Sequence, residues 1–203
     1  MATSSEAVTP REVRRVAAAR RTKANGWWGM AMLVATEAAL FGCLVASFFY
    51  LRFGAESWPP AGIPEPKWVG TLLLTGLLVT TSIPMHLASS AASRGRLTTA
   101  RLGLAATVAI GTAYLVIQLF RLVDELEQSP PDESAYESLR VVLLVGHHAH
   151  VAAGVLLDVF LLLRLARGLT AYRQVGVQAA ALYWHAVNLL ALAVTATLIS
   201  PAL

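Results

Sequence analysis

The chain has 203 residues, 56% of them hydrophobic and 14% charged, with a formal net charge of +4. With the charges lying mostly between long apolar stretches, this balance excludes a soluble globular domain. A lone cysteine, Cys43, excludes an intrachain disulfide, and the absence of CxxC, CxxCH, Walker A and GxGxxG motifs leaves covalent haem, a zinc ribbon and the common nucleotide sites unsupported.

In chain order, residues 1–26 form a basic tail. Thr9-Pro10-Arg11-Glu12 has the pattern of a capping box with proline at the first helical position. It predicts a basic helix over 10–23 that rests on anionic headgroups or a partner; the alternative is a disordered tail that only enforces topology. The apolar run that follows is too long for the core of a cleavable signal, so the tail is expected to stay. Residues 27–203 then read as a five-helix bundle, with spans at Gly29–Leu51, Trp68–Ala91, Thr98–Phe120, Leu139–Leu163 and Gln178–Ser200. Each is long enough to cross a hydrocarbon core about 30 Å thick. The expected fold is an all-α, multi-pass transmembrane helix bundle. Its longest internal loop is Arg121 to Ser138.

Charge sets the expected orientation. The tail and the second and fourth connections hold 12 of the 16 Lys and Arg, whereas the opposite side carries Glu56, Glu65 and the acidic run Asp124 to Glu137. The positive-inside rule puts the N-terminus in the cytoplasm and the C-terminus outside. The net charge therefore reports topology, and nucleic acid is not an expected partner.

Ionisable residues inside spans are costly and need partners. Glu37 lies about 15 Å in from Trp27, and His147 and His150 about 12 and 16 Å in from Leu139, so all three approach the midplane. Glu37 is expected to pair with His147 or His150; the alternative is a protonated Glu37 bonded to a backbone carbonyl or to a hydroxyl such as Thr36. His147, Val151, Gly154 and Asp158 share one helical stripe. Asp158 and His86, which follows the expected kink at Pro84, sit at a similar level, as partners of each other, of Arg164 or of water, with proton movement a further role. The run His147-His148-Ala149-His150 invites a metal or haem, but the only other intramembrane candidates are Glu37 and His185. A di-iron site would need several Glu. No catalytic residue, metal or haem is therefore expected on this chain.

Four segments in sequence order carry a resemblance. They are Gly29-Met30-Ala31-Met32-Leu33 through Thr36-Glu37 and Phe41 to Phe49-Tyr50-Leu51-Arg52; Trp58-Pro59-Pro60; His147-x-x-His150-Val151-x-x-Gly154; and Tyr183-Trp184-His185-x-Val187. Together they resemble subunit III of haem–copper (cytochrome c) oxidases, in the short five-helix bacterial form. Asn188 and Gln178 stand where that family has acidic residues, and His148 where it has glycine. The resemblance implies an accessory subunit of a proton-pumping terminal oxidase in the bacterial plasma membrane, with no redox centre of its own. Subunits I and II would be its partners, haem and copper would sit in those partners, and phospholipid would be structural. By the same resemblance Glu37, His147 and His150 hold the helices together. Tyr183, Trp184, His185 and Arg52 meet lipid or a neighbouring subunit, and the cleft where longer relatives have two more helices is open, lipid-filled or closed by a neighbour. The rivals are an accessory subunit of a nitric oxide reductase and a standalone proton-coupled transporter, the latter disfavoured by the lack of an inverted repeat.

Overall fold

The computed structural model describes residues 25–60, 63, 68–128 and 130–202. Among them the chain is helical: α1 Asn25–Gly54, α2 Trp68–Val79, α3 Ser82–Ser93, α4 Leu97–Gln128, α5 Ala135–Leu165 and α6 Ala171–Ile199, closed by a 3₁₀ turn at Ser200–Ala202. Backbone polar groups find no water among lipid tails, and a helix satisfies them within one segment. Five stretches are long and apolar enough to cross a membrane, α2 and α3 together making one. Residues 1–24 of the tail, with its expected helix over 10–23, lie outside the described residues, and α1 begins at Asn25.

The helices outrun their apolar lengths. The loop expected from Arg121 to Ser138 is largely helix, since α4 runs on to Gln128 and α5 starts at Ala135. Apolar counting measures only the hydrocarbon layer, and a helix whose bonds are internal continues into the polar interface until something stops it. Pro130-Pro131 is the stop. Ser134 then caps α5, its hydroxyl accepting from Glu137 N at 3.1 Å, and Thr170 caps α6 by accepting from Arg173 N at 3.3 Å.

The second span is broken at Thr80–Thr81, one turn before Pro84. Proline has no N–H to give to the carbonyl four residues back. Ile83 N takes Thr80 O instead, and the hydroxyls of Thr80 and Thr81 fold back onto Leu77 O and Leu78 O, both at 2.6 Å.

Helix α6 is the hub, packed by α1, α2, α3 and α5, while α4 lies against α2, α3 and α5. Half of the most apolar window of α6 is buried, against 11% for α1. One apolar cluster gathers Met85, Leu104, Val151 and Trp184, and a second holds Phe41, Phe48, Tyr136 and Leu143. Trp58, beyond α1, meets Phe48 and Tyr136 edge-on at 5.3 and 5.2 Å between ring centroids. Arg101 Nη2 donates to Leu165 O, so the arginine-bearing α3–α4 and α5–α6 connections share one end.

Without water between helices, association depends on close packing, which small residues permit. A Cβ on Gly103 would lie 2.6 Å from Pro84 O and 2.8 Å from Ala88 Cβ. The first obstacle is backbone, which cannot swing aside. Gly103→Ala should therefore part α3 from α4 and cost about 1–3 kcal/mol. Thermal melts in detergent would show it; an unchanged midpoint would mean that the crossing is looser than described.

Candidate functional site

Helix α5 sends His150 toward α1, and His147 and His148 toward Tyr114 on α4. His150 faces α1, where its Nε2 lies 3.0 Å from Glu37 Oε2, and its Nδ1 lies 2.7 Å from Gly146 O one turn back. A carbonyl only accepts, so Nδ1 carries a hydrogen. One proton then remains between Nε2 and Oε2, and the pair is neutral overall whichever atom holds it. That makes it tolerable at membrane depth. The pair is only partly covered, with side-chain exposures of 21% for His150 and 27% for Glu37. Phe41 packs edge-on to the imidazole at 5.4 Å, and Tyr183 Oη donates to His150 O at 2.9 Å. A cavity of about 80 Å³ lies beside them, walled by Val34, Ala38, Val187 and Leu190.

Removing the imidazole strands the carboxyl. His150→Leu should destabilise the protein by about 1–3 kcal/mol. Glu37→Gln should cost less, because an amide still donates to a neutral Nε2. Equal losses would show instead that the pair is ionic. Detergent melts of both variants decide between them.

His147 turns away from Glu37. It is 3% exposed, and neither ring nitrogen has a hydrogen-bond partner among the described residues. Its neighbours are the rings of Tyr114 and His148, at 6.4 and 5.7 Å. His148 Nε2 meets Gln118 Nε2 at 3.2 Å, and that amide also reaches Tyr114 Oη at 3.3 Å. Sequence reading missed this α4–α5 group; the available signal was Tyr114 and Gln118, one turn apart, opposite a run of histidines.

Asp158 belongs to the buried stripe of His147, Val151 and Gly154. Its partner is neither His86 nor Arg164 but Trp184, whose Nε1 donates to Oδ2 at 2.8 Å. This corrects the expectation of lipid contact at Trp184, which has no exposed surface; Tyr183 is also buried, at 7% exposure. The reason is the central position of α6, which turns both residues toward α5. A Cβ on Gly154 would lie 3.1 Å from the indole, and one on Gly111 3.0 Å from it, so two glycines make its berth.

His86 and His185 are exposed, with rings 6.4 Å apart across α3 and α6. His185 Nδ1 meets Ser82 Oγ at 3.3 Å. Asn188 Nδ2 donates to Ser82 Oγ and Thr81 Oγ1 at 2.7 and 3.0 Å, and Gln178 Nε2 donates to Ser93 Oγ at 3.0 Å. The amides of Asn188 and Gln178 thus donate hydrogen bonds that an ionised carboxylate cannot. Arg52 Nη1 donates to Ser200 Oγ at 2.7 Å, joining the ends of α1 and α6.

A second missed group lies at the other end of α4. Arg140 Nε contacts Glu137 Oε2 and its Nη1 contacts Glu125 Oε2, each at 2.6 Å. Ser134-x-x-Glu137 ahead of an apolar run was its sequence signal.

Among the described residues, no three His, Cys, Asp or Glu side chains are grouped to hold a metal ion. What the arrangement offers is interhelical hydrogen bonding and one shared proton.

Residues 18–199 match the family model described as cytochrome c oxidase subunit III. Cytochrome c oxidase subunit 3 of Strongylocentrotus purpuratus is 27% identical over 79% of this chain and 64% of its own length. The protein of the same name from Synechocystis is 30% identical over 79% and 69%. Heme-copper oxidase subunit I+III of Aeropyrum pernix is 28% identical over 79% of this chain and 21% of its own length. The chain thus spans under two thirds of the first and about a fifth of the last. With five apolar spans and a family match over most of its length, this chain belongs to the cytochrome c oxidase subunit III family.

Proposed function

We propose that the chain serves as the accessory subunit III of a haem–copper terminal oxidase in the bacterial plasma membrane, seated against subunit I, with subunit II in the same complex and the haem and copper in those partners. The observation that carries this is the Aeropyrum pernix relative, whose name joins subunits I and III. In this reading the N-terminus is cytoplasmic, as the distribution of arginine favours, residues 1–26 form a tail and 27–203 the bundle. The chain stabilises subunit I, binds phospholipid and supports proton uptake.

The buried geometry supports a scaffolding role. Glu37 with His150, and Asp158 with Trp184, bond across helices. His147 adds to the polar interior, and the more open His86, His185 and Arg52 are available to lipid or a neighbouring subunit. The test is a mild-detergent pull-down of the tagged chain from its native membrane, with the co-purifying proteins identified by mass spectrometry. Recovery of a haem–copper subunit I with a copper-bearing subunit II is the expected result. A nitric oxide reductase in their place, or the chain alone after control for detergent stripping, would overturn it.

A further inference from the structure

Between α1 and α3, over α6, a cleft of about 360 Å³ opens from the bundle, within the range of small-molecule sites. Trp27 forms one wall, His86, Ser89 and Ser93 the other, and Gln178, Leu182 and His185 the floor. Among the described residues its polar groups are hydroxyls, an amide, an indole and two imidazoles, with no Lys, Arg, Asp or Glu. A phosphate or carboxylate entering this cleft would find no counter-ion among the described residues, which disfavours the headgroup of an anionic lipid.

Depth narrows the ligand further. His185 lies seven residues past Gln178, where the apolar span of α6 begins, about 10 Å along it, so the inner end of the cleft lies within the apolar layer. Neither His86 nor Nε2 of His185 has a hydrogen-bond partner among the described residues, and both rings are exposed. Polar groups open to lipid at that depth are expensive. The outer rim is already satisfied, by Gln178 on Ser93. Past His185 the same face of α6 continues as exposed Leu189 and Leu192, an apolar track four and seven residues on.

An uncharged, membrane-dissolved ligand is required, with oxygens to meet two imidazoles at one end and an apolar tail at the other. We propose that this cleft binds the headgroup of a quinone or quinol, with its oxygens toward His86, Ser89 and His185, its ring beside Trp27 and its prenyl tail along Leu189 and Leu192. The site goes beyond the accessory role and does not depend on which complex the chain joins.

The test is photolabelling of the full chain, purified with whatever subunits accompany it, by an azidoquinone bearing a short prenyl tail. The label is mapped by mass spectrometry. Expected is saturable labelling on α3 or α6 at the cleft, displaced by unlabelled decylquinone and not by phosphatidylglycerol. It should fall at least about tenfold in His185→Leu and in Leu182→Trp, which fills the cleft from its apolar side. Variants are compared at equal recovery of folded chain, and Leu182→Trp keeps the test alive if the histidine variant fails to fold. Label spread over the lipid-facing sides of α4 and α5 and indifferent to Leu182→Trp would mean simple partitioning and overturn the proposal. Displacement by phosphatidylglycerol, or no saturable label, would overturn it as well.

Discussion

Trp184→Ala should be among the most damaging single changes to this protein, lowering stability by about 3–5 kcal/mol. The indole is fully buried, rests on Gly111 and Gly154, and gives its N–H to Asp158. In a bilayer the lost term is dispersion contact rather than water exclusion, because lipid tails are as apolar as the core. The truncation also strands a carboxyl whose Oδ1 already has no partner among the described residues. Trp184→Phe separates the two losses: most packing returns, and about 1–3 kcal/mol for the unpaired carboxyl remains. Adding Asp158→Leu to Trp184→Phe removes both partners and should recover part of that cost, giving a coupling energy in a double-mutant cycle. Thermal melts in detergent supply all four corners. Strict additivity would show that the 2.8 Å contact carries no energy, and a Trp184→Ala melt close to wild type would show that the indole is not a keystone.

Arg140→Ala is expected to cost a similar amount, about 3–5 kcal/mol, for a different reason. Glu137 is 1% exposed, and the guanidinium is its ionic partner at 2.6 Å. Deleting the arginine leaves a buried carboxylate with no compensating charge. The same guanidinium reaches Glu125 on α4 through a separate nitrogen, so one side chain ties the end of α4 to the start of α5. A lysine presents a point charge rather than a fork, and Arg140→Lys should restore only part of the loss. Glu125→Gln should cost no more than about 1 kcal/mol, since that side chain is 37% exposed. Arg140→Met combined with Glu137→Leu should be milder than Arg140→Ala alone, because no unpaired charge remains. If instead the double variant is the worse of the two, the ion pair contributes net stability beyond avoiding a stranded charge.

Five spans and the family were legible in the sequence, because crossing a hydrocarbon layer imposes a length and forbids most charges. The match of Glu37 to the level of His147 and His150 followed from a rise of 1.5 Å per residue. Which imidazole meets the carboxyl did not, since residues three apart lie on neighbouring faces and only the rotation of α5 against α1 chooses His150. Trp184 marks the other limit. In a soluble protein a buried face announces itself by periodicity, but a helix in lipid is apolar on every side, so the pattern of α6 carries little record of which side meets protein. A tryptophan there suggested lipid contact. The central place of α6 buries it, and Gly111 and Gly154 form the floor it lies on. The sequence by itself determined that the chain spans the membrane five times and which polar residues lie within those spans. The tertiary structure decided which of them are paired, because lipid and helix interior are chemically alike and only packing tells them apart.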